Sequence, residues 1–175
     1  KKILYSSNSE ATADIILDKE YSLDVEVEVG GKIVNNATAV IHFTSDDYSA
    51  SAVLPESNNV DLKEGLYDIS VFVYGNSNVN IPATRKTECY EVSRGGVLGI
   101  LGRTEEKCVD VEIHAVKIDY ALIGGGKTTV YLLQADLEQG KVTIEASELP
   151  RPTSIEQLQY NYEVFNTLGV NLNFG

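Results

Sequence analysis

Between Tyr21 and Val29 apolar and polar residues alternate without a break, Tyr-Ser-Leu-Asp-Val-Glu-Val-Glu-Val. A period of two places successive side chains on opposite faces of an extended strand, so Tyr21, Leu23, Val25, Val27 and Val29 face a core while Ser22, Asp24, Glu26 and Glu28 face water. A strand with one apolar face needs neighbours on its edges and a second layer over that face. Strand-like runs do recur at short spacing, at 32–43, 48–54, 66–74, 87–92, 109–113, 117–123, 129–135 and 141–146, with a last alternating run at 169–174. Gly30-Gly31, residues 55–59 and residues 75–78 supply Gly, Pro, Asn and Ser clusters between them, which read as turns. The expectation is a mainly β protein, an antiparallel immunoglobulin-like sandwich with a C-terminal β-rich extension carrying one short helix.

That helix is expected over 154–165. Ser154 or Thr153 can cap its start, Gln157 stands in capping-box position, and Ile155, Leu158, Tyr162 and Phe165 form an apolar stripe at three-and-four spacing. A soft boundary falls near Ala115: residues 1–115 read as the sandwich, and 116–175 as a β-hairpin, the helix and a final strand. No flexible linker separates the two, so the second part can continue the first sheet.

Cys89 and Cys108 are the only cysteines, and they flank a glycine-rich stretch with strand patterns on both sides. The pair reads as a disulfide across a hairpin, with two reduced buried thiols as the alternative; zinc is disfavoured because paired CxxC spacing is missing. A bridge would place the protein outside the cytoplasm, extracellular or at the cell surface. A net charge of −12 argues against nucleic acid and anionic membranes as partners, because both are bound through clustered Lys and Arg. No stretch approaches the ~20 apolar residues of a membrane span. The chain starts at Lys1 and holds no Met, which points to a processed or trimmed form.

Several motifs admit a chemical reading. Residues 121–128, Ala-Leu-Ile-Gly-Gly-Gly-Lys-Thr, satisfy a relaxed phosphate-loop pattern, but a phosphate cradle opens a helix, whereas strand patterns lie on both sides here. The glycines therefore read as a simple hairpin turn. Val97, Leu98, Ile100 and Leu101 place four aliphatic side chains in what reads as a loop tip, either folded back on the sandwich or available to a partner. Near the start, Ile3, Leu4, Tyr5, Ile15, Ile16 and Leu17 belong either to an ordinary first strand or to a strand donated to another subunit. Asn36-Ala37-Thr38 is a glycosylation sequon. Asp46, Asp47, Glu56, Asp61, Glu105 and Glu106 lack the spacing of a calcium loop and read as solvated turn acids. No nucleophile elbow or zinc-protease signature occurs, and His42 and His114 each sit in a strand pattern, so no catalytic residue, metal ligand or cofactor is expected.

Residues 62–71, Leu-Lys-Glu-Gly-Leu-Tyr-Asp-Ile-Ser-Val, resemble the turn-and-strand phrase of carboxypeptidase-regulatory-like and related sandwich domains of surface proteins. The order of a Cys-tied hairpin, an extended second half and a late Leu-Gln-Tyr-Asn-Tyr helix also resembles uncharacterised secreted archaeal surface proteins. The resemblance implies a location at the cell surface and no activity. The reading that follows is a non-catalytic structural protein that assembles with copies of itself or with other surface proteins; the alternative is a carbohydrate- or protein-binding module of a larger surface assembly.

Overall fold

The structure, a computed structural model, describes residues 19–95 and 102–175. The alternating run forms β1 (Glu20–Val29), with Leu23, Val25 and Val27 buried and the acidic side chains outward. One edge of β1 pairs antiparallel with β5 (Asn59–Lys63) over its first half and with the two-residue β2 (Lys32–Ile33) at its end. The other edge pairs with β10 (Lys141–Glu148), Asp24–Val29 alongside Lys141–Ala146, and this pairing is parallel. An entirely antiparallel sheet is therefore corrected to a mixed one. Parallel neighbours require a long crossover connection, and everything between β1 and β10 supplies it.

Antiparallel pairing prevails elsewhere. β3 (Thr38–Thr44) lies between β4 (Ser49–Leu54) and β6 (Gly65–Ile81), β6 continues onto β9 (Val116–Leu132), and β11 (Val170–Phe174) runs along β10. The nine strands follow the order β2-β1-β10-β9-β6-β3-β4, with β5 and β11 branching from β1 and β10. The sheet curls because the end of β10 leaves β11 and pairs Ser147 and Glu148 with Gly125 and Gly124 of β9. Both halves then close on a main core in which Leu23, Val25, Val27, Ile144 and Leu62 meet Ile41, Phe43, Tyr67, Ile69 and Val71, and Leu122, Leu149 and Phe165 form a second, smaller cluster.

Gly124, Gly125 and Gly126 lie inside β9, so the expected glycine hairpin is overturned: 116–132 is one strand. Its glycines are required by close approach. A Cβ at Gly125 would stand 2.2 Å from the Val71 carbonyl and 2.7 Å from the Phe165 ring, and one at Gly126 would meet the Gly169 carbonyl at 2.7 Å. Their φ angles of 145° and 152° are conformations that L side chains rarely adopt. Similarly, the expected turn at 75–78 is overturned, because β6 runs through it and absorbs the irregularity in a register shift between Asn76 and Val79.

The late helix, α2 (Ile155–Phe165), starts as expected, with Ser154 Oγ accepting from the Gln157 N–H. It follows α1 (Gln134–Leu137), a single turn between β9 and β10. The buried face of α2 is rotated from the expected stripe. Phe165 and Asn161 are buried, while Ile155 and Tyr162 are exposed. The reason is polar: Asn161 Nδ2 donates to the Leu122 carbonyl at 2.9 Å and to the Pro150 carbonyl at 2.8 Å, tying the helix to β9.

Candidate assembly surfaces

β6 and β9 continue as a pair in which Ser77 and Val79 are still buried, and lead through Pro82-Ala83 and His114-Ala115 into a second ribbon, β7 (Thr84–Arg94) paired with β8 (Arg103–Ile113). Every residue of β8, and all of β7 except the half-buried Val92, is exposed. Cys89 and Cys108 face one another directly in this ribbon and form a disulfide, Sγ–Sγ 2.15 Å with Cα atoms 4.0 Å apart. The alternation gives the two faces different chemistry. On one, Tyr90, Val92, Val109, Val111 and Ile113 form an apolar stripe interspersed with charged residues, Lys86 paired with Glu88 at 3.3 Å and Arg94 with Glu105 at 3.3 Å, and Tyr90 is 53% and Ile113 50% exposed. On the other, the disulfide sits beside Glu91 and Glu106, directly opposite each other, and a Thr87–Asp110 hydrogen bond of 2.7 Å. Opposed like charges weaken a strand pair, and the covalent link lies two residues from this one.

The disulfide fits an oxidising environment. Among the described residues the one cluster with metal-ligand spacing is Cys89, Glu106 and Cys108, and its two sulfurs are bonded to each other. Of the side chains expected to mediate contacts, Val97, Leu98, Ile100 and Leu101, between β7 and β8 in the sequence, and Ile3, Leu4, Tyr5, Ile15, Ile16 and Leu17 near the start lie outside the described residues. Asn36 is exposed in a bend before β3, on the rim of a largely apolar cleft of about 370 Å³ that Val29, Ile33, Val73 and Ile123 line.

The curled sheet has two seams. Along the first, between β4 and β5, side chains act as staples. Tyr48 Oη donates to the Asp61 carbonyl at 2.8 Å, and Lys63 Nζ lies 5.4 Å from the Tyr48 ring. Tyr67 Oη accepts from the Lys63 N–H at 3.2 Å. Burial holds the Tyr67 hydroxyl above the ordinary tyrosine value, against the lowering effect of that bond. Tyr48 is also raised, by burial and then by Glu20 and Asp61.

The second seam, between β9 and β11, is joined at one end only. The Lys127 N–H donates to the Leu168 carbonyl at 2.9 Å and Lys127 bridges Gly169. Beyond that bridge no further pairing joins the two strands. β9 over 128–132 pairs only with β6, and β11 pairs only with β10. Val130, Leu172 and Phe174, which pack against the core from this seam, remain half-exposed.

The outer face of β3, β6 and β9 carries a third feature. Thr44, Asp68, Ser70, Lys127 and Thr129 line a shallow trough of about 450 Å³. Asp68 accepts a short hydrogen bond from Thr129, and Lys127 Nζ donates to Asn166 Oδ1 at 2.9 Å. Aromatic rings adjoin it, Phe72 stacking on Phe165 with centroids 4.5 Å apart and His42 meeting Phe72 edge-on at 6.2 Å. Tyr74 has its hydroxyl raised by burial and then by the neighbouring Tyr162.

Neither protein-family models, nor curated proteins, nor solved structures provide a match to this chain. No helix among the described residues is long and apolar enough to cross a membrane. The ribbon was visible in the sequence through its cysteines. The open seam was not: Val130 and Leu172 look like any inward residues of alternating strands, and no local pattern reveals that their strands lack an outer neighbour.

Proposed function

We propose that the protein is a non-catalytic structural subunit of the extracellular space or cell surface, which assembles with copies of itself or with other surface proteins, strand donation included. The observation that carries this reading is the disulfide-tied β7–β8 ribbon, with its apolar stripe open to solvent. An isolated two-stranded ribbon is marginal in water, and exposed apolar patches are typical of interaction surfaces. A covalent tie keeps such a ribbon in shape until a partner covers it. The resemblance to secreted archaeal surface proteins and to carboxypeptidase-regulatory-like domains agrees with this setting. In the same reading the curled body is a variant immunoglobulin-like sandwich, with β5, β1, β10 and β11 facing β4, β3, β6 and β9, and Asn36 carries a glycan.

Light scattering and electron microscopy of the full chain without denaturant test the proposal. Filaments or large oligomers are expected, and replacing Val109 and Val111 by Thr should weaken them at least about tenfold in the concentration needed. A monomer at high concentration overturns it. The second reading, a carbohydrate- or protein-binding module, is favoured by the polar trough beside Phe72 and would then take precedence. It predicts saturable oligosaccharide binding that Asp68→Ala abolishes, measured by calorimetry.

A further inference from the structure

Resting on the assembly reading, we infer that the seam between β9 and β11 is the acceptor for residues 11–17 of a second copy of the chain. The gap presents two unpaired backbone edges, 128–132 of β9 and 170–174 of β11, joined at the Lys127–Gly169 bridge and not paired with each other beyond it. Both edges carry free N–H and C=O groups, which a strand entering between them can pair with. Beneath the gap Val130, Leu172 and Phe174 are half-exposed against an otherwise closed core. The missing element is thus an extended segment with apolar residues on one face only.

Residues 11–17 read Ala-Thr-Ala-Asp-Ile-Ile-Leu. Extended, they put Ala11, Ala13, Ile15 and Leu17 on one face, with small residues at one end and large ones at the other. That suits a gap closed at the Lys127–Gly169 bridge and without pairing towards Phe174. This segment lies outside the described residues, and chain length bears on whose gap it can enter. Only Asp18 and Lys19 separate Leu17 from the start of β1 at Glu20. Three Cα steps span at most about 11 Å. The gap lies beyond β10 and β11, three strand spacings from β1, or about 14 Å along the sheet. The reach from Glu20 is shorter than that path, which favours a neighbouring copy as the donor.

Hydrogen exchange by mass spectrometry on the full chain, at concentrations above and below assembly, tests this together with Ile15→Asp. Assembly is expected to slow exchange of 128–132 and 170–174 at least about tenfold. Ile15→Asp should remove that protection and raise the concentration for assembly at least about a hundredfold, while the circular dichroism of the body stays unchanged. Assembly with protection confined to the ribbon would leave the assembly reading intact and overturn the seam as acceptor. Protection of the seam independent of concentration means each copy fills its own gap, which also overturns it. If no assembly forms at any concentration, the seam inference falls together with the reading it rests on.

Discussion

Single atoms decide much at the places where strands crowd. Gly125 has no room for a Cβ against the Val71 carbonyl and the Phe165 ring, and its φ of 145° disfavours any L side chain. Gly125→Ala is expected to cost on the order of 3 kcal/mol or more, read as a lower urea midpoint. Asn161 is wholly buried; its Nδ2 donates to the Leu122 and Pro150 carbonyls, while its Oδ1 has no hydrogen-bond partner. Asn161→Leu should therefore destabilise by about 2–4 kcal/mol despite its greater hydrophobicity. Tyr67 and Tyr74 give the body an alkaline limit. Burial raises both hydroxyls, so the folded state holds their protons more tightly than the unfolded one. Their contribution is complete below the unfolded tyrosine value and disappears as pH rises through the folded ones. Denaturant midpoints should fall above about pH 10, and Tyr67→Phe should flatten part of that fall while costing about 1 kcal/mol at neutral pH.

At the level of elements, the ribbon and the body should lose structure separately. Cys89→Ser with Cys108→Ser removes a tie whose loop entropy contributes about 3 kcal/mol, and that loss falls on β7 and β8, which pack on nothing else among the described residues. Amides of 84–94 and 103–113 should exchange much faster in the double variant, with the melting of the body little changed. How far such elements are legible depends on where their information lies. β1 and the start of α2 are written locally, one in strict alternation and the other in Ser154 and Gln157. β6 and β9 are each longer than their patterns suggest, because Asn76 to Asn78 and Gly124 to Gly126 have the composition of turns. What keeps them extended is a partner strand and a close neighbour, neither of which is adjacent in the chain. Arg103 to Lys107 pairs fully with Arg94 to Tyr90, yet exposure on both faces leaves it no hydrophobic rhythm to read. The parallel pairing of β1 with β10 has no local signature at all.

At the scale of the whole molecule, a net charge of −12 sets copies against one another. Association through apolar stripes or shared strands has to overcome that repulsion, so raising ionic strength from about 0.01 M to 0.15 M, which shortens the screening length from about 30 Å to 8 Å, should favour it. Static light scattering across that range should report growing mass; a decrease would point to contacts dominated by opposite charges. The mixed sheet also imposes an order in time. β5 can pair with β1 early, but the other edge of β1 stays vacant until the far more distant Lys141–Ala146 exist. A chain with so distant a closing contact folds late. It therefore remains threadable until that distant segment emerges, a useful property for any polypeptide that has to pass through a narrow channel before it takes shape.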